Sequence, residues 1–102
     1  MNDAHPDGGG PFAELDPKLT VFALANGVDL AKGEDHRRLE WFADGFERGI
    51  LIALASPGFG LALFKWKTND DDAGPPTVFR ESVAAAEVVS LLDAAVEAAN
   101  AL

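Results

Sequence analysis

The sequence predicts an α+β domain: an antiparallel sheet of three to four strands in the order β-β-β-β-α, with one C-terminal amphipathic helix packed on one face. Three observations carry that expectation. Asp44-Gly45 stands between apolar runs, and both central residues of a two-residue hairpin turn need positive φ. The stretch from Arg37 to Lys67 holds both tryptophans, four of the seven phenylalanines and the longest apolar runs. From Ala84 to Leu102, apolar residues recur at spacings of three and four.

The elements follow in chain order. Residues 1–17 read as a disordered lead-in, because Gly8-Gly9-Gly10-Pro11 suits no regular element and Asp16-Pro17 resists a helix. A single domain is expected over residues 18–102. Leu19–Ala25 (LTVFALA) alternates weakly and suits a first strand. Asn26-Gly27 reads as a second hairpin-type turn, and Val28-Asp29-Leu30 begins a return strand or a loop. Residues 32–36 form a polar connection.

On the hairpin reading, Leu39, Trp41 and Ala43 share one face of the incoming strand, with Arg38, Glu40 and Phe42 on the other. Leaving the turn, Phe46, Arg48, Ile50, Ile52 and Leu54 share a face opposite Glu47, Gly49, Leu51, Ala53 and Ala55. A rival stays open over residues 35–48. Leu39, Phe42, Ala43, Phe46 and Ile50 also fall at helical spacing, although Gly45 and Gly49 would each cost such a helix roughly 1 kcal/mol relative to Ala.

Ser56-Pro57-Gly58-Phe59-Gly60 is a turn by composition, and it lacks the lysine and hydroxyl of a phosphate-binding loop. Leu61–Lys67 is the next strand. The polar stretch 69–76 fails as a calcium loop, since aligning Gly74 with the required glycine puts Ala73 and Arg80 where oxygen ligands belong. Thr77–Arg80 is a short edge strand or the approach to the helix. That helix is expected from Ser82, as N-cap, to Leu102, with Ala84, Val88, Leu91, Leu92, Ala95, Val96, Ala99 and Leu102 as its apolar stripe.

Composition narrows the chemistry. With no cysteine there is no disulfide framework, thiolate metal site or cysteine nucleophile. His5 lies in the lead-in and His36 beside two arginines, and Ser56, Ser82 and Ser90 have no base evident in the sequence. Asp93 and Glu97, at i and i+4, read as solvated charge. No enzyme, metal or cofactor is expected. The first eleven residues are polar and glycine-rich, unlike a signal peptide, and the apolar runs are too short to span a bilayer, so a cytoplasmic protein is expected.

The net charge of −9 is unevenly placed. Residues 19–67 balance at zero, whereas residues 1–18, the Asp70-Asp71-Asp72 run and residues 80–102 each contribute −3. Such an exterior reads first as a solubility or salt-adapted surface; the sharper reading is one that repels nucleic acid and suits a basic protein partner.

Strands this apolar on both faces leave one face for another occupant when a single helix covers the other, either a second copy or, internally, the N-terminal segment or a helical 35–48. The expected function is therefore a small acidic protein-interaction or regulatory domain, homodimeric through an apolar face holding Trp41, Phe42, Leu51, Phe64 and Trp66. The alternative is single-stranded nucleic-acid binding by Arg37, Arg38, Trp41, Arg48, Lys65, Trp66 and Lys67, which would combine aromatic stacking with cations that track a backbone. The β-β-β-β-α plan resembles PC4-like and PUR-type single-strand-binding domains, and Glu47-Arg48-Gly49 resembles the basic-residue-plus-glycine step of PUR repeats. Against that alternative stands the neutral sheet, where a basic stripe is expected.

Overall fold

The computed structural model describes residues 10–55, 58–67 and 76–102. The chain runs through helix α1 (Asp16–Asn26), strands β1 (Asp29–Lys32), β2 (His36–Ala43), β3 (Phe46–Leu54), β4 (Phe59–Trp66) and β5 (Thr77–Val83), and helix α2 (Ala85–Asn100). The strands form one sheet in the order β1-β2-β3-β4-β5, every neighbouring pair antiparallel. This is an α+β fold with a C-terminal helix on the sheet. It has five strands rather than three or four, and a helix stands before them.

The Asp44-Gly45 turn fixes the register of the central hairpin. Asp44 has φ 54° and Gly45 φ 84°, the paired positive values of a type I′ turn, and Ala43 faces Phe46 across it. The helical rival over 35–48 is thereby excluded, and the face assignments for β2 and β3 hold. On the inner face Leu39, Ile50 and Leu63 form one row across three strands, and Ile52 and Leu61 adjoin in the next. All five are buried. Helix α2 lays Val88, Leu92, Ala95 and Ala99 onto this layer, each with no exposed surface. Three of those four lie at i, i+4 or i+7 from Val88, so one stripe of the helix meets the sheet.

The N-terminal expectations need correction. Leu19–Ala25 is part of a helix, not a strand. Leu15, Leu19 and Ala23 recur at i+4 and are buried, whereas Val21 and Leu24 are 67% and 80% exposed. Apolar residues on both sides of the helix imitate a two-residue alternation. Pro17 sits in the first turn, where its missing N–H leaves no hydrogen bond unmade. Gly27 (φ 66°) ends the helix and donates its N–H to Ala23 O, so Asn26-Gly27 is a helix stop rather than a hairpin turn.

The lead-in expected over 1–17 also changes. Residues 1–9 lie outside the described residues. Beyond them Leu15 and Asp16 donate backbone N–H groups to Phe12 O at 3.0 and 2.8 Å, and Phe12 and Leu15 join the core. The Phe12 ring meets Phe59 of β4 at 5.4 Å between centroids. One side chain holds this segment in place: Arg37 donates from Nε and Nη2 to the two Asp16 carboxylate oxygens at 2.7 and 3.0 Å. Its Nη1 donates to Gly33 O and His36 O, and its guanidinium lies 4.2 Å from the Phe12 ring centre. Asp16 stands in the first turn of α1, where a carboxylate also meets the positive end of the helix dipole.

Two open alternatives resolve as strands, and the expected N-cap moves. The Val28-Asp29-Leu30 segment leads into β1, and Thr77–Arg80 belongs to the seven-residue edge strand β5. Ser82 lies within β5, and the N-cap of α2 is Ala84, whose N–H donates to Glu87 Oε1 at 3.4 Å. Of the turn after β3, Gly58 takes φ 80° and Ala55 donates to Gly58 O at 2.9 Å, while Ser56 and Pro57 lie outside the described residues. The acidic Asp70-Asp71-Asp72 run does too.

Replacing Gly45 tests the hairpin directly. A Cβ there meets nothing within 4 Å, so its cost is that of the backbone alone. Gly45→Ala should lower stability by about 1 kcal/mol, seen as a lower urea midpoint at an unchanged slope. A higher midpoint would contradict the turn.

Candidate functional site

The pleat divides the sheet's side chains into two populations. On the inner face Trp41, Arg48 and Lys65 stand side by side on β2, β3 and β4. All three grip the end of α2. Trp41 Nε1 donates to Asn100 Oδ1 at 2.8 Å, Arg48 Nη1 to Ala99 O at 2.7 Å, and Lys65 Nζ to Leu102 O at 2.9 Å. Arg48 is buried and also donates from Nε to Ala43 O at 3.0 Å. Helix α2 has no basic residue in its last turn, so the cations that meet its carbonyl end come from the sheet. Around the same end, Lys65 Nζ lies 4.5 Å and Lys67 Nζ 5.9 Å from the centre of the Phe46 ring.

The outer face carries Arg38, Glu40 and Phe42 from β2, Glu47, Gly49, Leu51 and Ala53 from β3, and Gly60, Ala62, Phe64 and Trp66 from β4. Neither helix lies here, because both pack against the inner layer. Phe42 is 60% exposed and Val78 of β5 62%. Two features give the face relief. Phe64 and Trp66, two residues apart on β4, stack at 5.0 Å and 22° to form a ridge. Phe64 lies over Gly49, its cross-strand partner, so closely that a Cβ on Gly49 would come within 2.6 Å of the ring. Toward the opposite end, Leu51, Ala53, Ala62 and Val78 line a shallow apolar depression of about 250 Å³, with Arg80 and Glu81 at its rim.

The predicted interface residues thus separate. Phe42, Leu51, Phe64 and Trp66 share the outer face, and Trp41 lies on the inner one, bonded to α2. Val78, Ala53 and Ala62 belong with the outer set and were not singled out in the sequence. Their signal is the two-residue phase they share with Leu51 and Phe64, which small side chains make faint.

The residues of the nucleic-acid alternative do not converge. Trp66 is on the outer face with Arg38, whose Nη1 lies 3.2 Å from Glu40 Oε2. Arg37, Trp41, Arg48 and Lys65 all point inward to the contacts described above, and Lys67 flanks Phe46 on that side. The Arg48-Gly49 step therefore splits across the sheet, the arginine toward α2 and the glycine under Phe64. A leading helix and a fifth strand also depart from the β-β-β-β-α plan.

No metal-binding cluster of three or more histidine or carboxylate side chains occurs among the described residues. His36 Nδ1 lies 3.2 Å from Asp35 Oδ1 in the β1–β2 turn, with Asp35 largely in solvent. No helix among the described residues is long and apolar enough to cross a membrane. Comparison with protein-family models, curated proteins and solved structures gave no match.

The assignment of Arg48 to α2 has a direct consequence. Arg48→Met keeps the aliphatic stem but removes the guanidinium donors to Ala99 O and Ala43 O, so stability should fall by about 1–3 kcal/mol in urea unfolding. An unchanged midpoint would return Arg48 to the pool of residues available for binding.

Proposed function

We propose that this chain is a small acidic, non-enzymatic protein-interaction domain that acts as a homodimer through the outer face of its sheet. The observation that carries this reading is the self-complementary relief of that face. It has an aromatic ridge at one end and an apolar depression at the other. A twofold axis near the middle of β3 sets the ridge of each copy over the depression of its partner, as an isologous interface requires. The charged groups of this face largely pair among themselves, Arg38 with Glu40 at 3.2 Å and Arg80 beside Glu81 at the depression's rim, so the apolar relief sets the arrangement.

The dimensions suit the arrangement. Five strands about 4.8 Å apart, with a length of eight residues at about 3.3 Å each, present roughly 600 Å². That is near the lower end of a stable interface, in which each partner contributes about 800 Å². At about 25 cal/mol per Å², burial of two such faces, were they wholly apolar, would contribute on the order of 30 kcal/mol before association costs of about 4–15 kcal/mol, and the charged residues on the face lower that ceiling. The product is a four-layer sandwich with helices outermost. The absence of cysteine agrees with a reducing compartment, and we assign the protein to the cytoplasm. Nucleic acid is the weaker reading, because the cations it needs are occupied at the carbonyl end of α2 and at Asp16.

Sedimentation at micromolar concentration should give about twice the 10.7 kDa chain mass. Val78→Asp, at a position exposed in the monomer, should give a folded monomer. Because the chain has no cysteine, engineered thiols report the orientation. Trp66→Cys mixed with Val78→Cys should form a mixed disulfide dimer faster than either variant crosslinks alone. A wild-type monomer throughout this range would refute the dimer. A dimer that survives Val78→Asp would move the interface elsewhere.

A further inference from the structure

The helical layer has its own opening, on the side of the sheet away from the proposed dimer face. Between α1 and α2 runs a groove of about 540 Å³, lined from α1 by Pro17, Lys18, Val21, Phe22, Ala25 and Asn26 and from α2 by Val89 and Asp93. The α1 residues recur at i, i+1, i+4, i+5, i+8 and i+9, so they make a stripe along the whole helix, about 15 Å long. Val21 is 67% exposed and Phe22 half-buried, leaving apolar surface along the floor. This is the length of three turns of a partner helix.

Charge selects among helices. The α2 side is acidic: Asp93 lines the groove, Glu97 follows one turn later on the same side, and Glu87, Asp93 and Glu97 are the only charged residues of α2. All three are exposed, and none has an ion-pair partner among the described residues. Lys18 is the one base on the α1 side. The remaining sheet cations near α2, Arg48 and Lys65, are turned to its carbonyl end. We infer that this groove receives an amphipathic helix of a basic partner protein, its apolar stripe on Val21, Phe22 and Val89 and its lysines or arginines toward Asp93 and Glu97. Helix-in-groove recognition combines these same two components, an apolar stripe and flanking charge. The groove is formed within one chain, so the inference stands whether or not the dimer does.

The test uses the full chain and a 15-residue amphipathic helix of leucine and lysine as probe, followed by calorimetry or fluorescence anisotropy at about 100 mM salt, where distant charges are screened. The probe should bind saturably. Val21→Ser should weaken it at least tenfold, whereas Leu24→Ser, at a residue 80% exposed on the same helix but outside the groove, should leave it unchanged. Asp93→Lys should weaken binding, Lys18→Glu should strengthen it, and the leucine-glutamate counterpart should not bind. Equal binding by wild type and Val21→Ser would reduce the attraction to surface charge and overturn the proposal. So would tighter binding of the leucine-glutamate peptide. A rise of tenfold or more on removing residues 1–9 would make that segment the groove's own occupant. Loss of self-association in Val21→Ser would assign the groove to a second copy.

Discussion

The arrangement depends on one polar row across the inner face of the sheet. Trp41, Arg48 and Lys65 occupy adjacent strands at the same level and fasten the end of α2 through Asn100, Ala99 and Leu102. A buried arginine is costly unless its donors are used, and here carbonyls at a helix end and in the β2–β3 turn use them. The helix lacks basic residues of its own in that turn, so the sheet and the helix each satisfy what the other leaves open. Above this row Leu39, Ile50 and Leu63 meet Val88, Leu92 and Ala95 without polar interruption. At the opposite end of the inner face, Arg37 performs a similar service for α1 through Asp16. Breaking the buried Arg37–Asp16 pair by removing one partner typically costs about 3–5 kcal/mol, so Arg37, like Arg48, belongs to the framework rather than the surface.

Because the inner face takes both helices and most of the sheet's basic residues, the outer face is left largely apolar and the exterior acidic. The domain's net charge therefore does not describe its sheet. Cations that the sequence offers for a phosphate backbone are spent on helix ends, while the acids of α2 remain in solvent. The proposed functions follow from this division: an apolar sheet face for a second copy, and an acidic helical layer with an apolar groove for a basic partner. The two surfaces lie on opposite sides of the sheet, so occupying one leaves the other open.

The central hairpin, β4 and α2 were legible in the sequence because each carries a local signal strong enough to stand alone. Asp-Gly demands a turn, and the stripe from Val88 to Ala99 has a helical period. Helix α1 was not legible, because Val21 and Leu24 place apolar residues on its exposed side and blur the period that Leu15, Leu19 and Ala23 define. The Phe12 and Asp16 contacts depend on Arg37, 21 residues beyond Asp16, and no local pattern announces such a partner. For the candidate site, alternation separated Trp41 from Phe42 correctly, but grouping them as one interface ignored that separation. The depression formed by Ala53, Ala62 and Val78 escaped notice because small residues contribute little to any hydrophobic pattern, and because Val78 reaches β4 through an irregular register.

The two tryptophans lie on opposite faces of the sheet, and this permits a direct measurement of the central claim that a second copy covers the outer face. In a Trp41→Phe variant all tryptophan emission comes from Trp66. Acrylamide quenching of that emission, followed over a dilution series that spans the association, should weaken as protein concentration rises, because the ridge becomes buried against the partner's depression. Quenching that stays at one value while the protein passes from monomer to dimer would contradict the account.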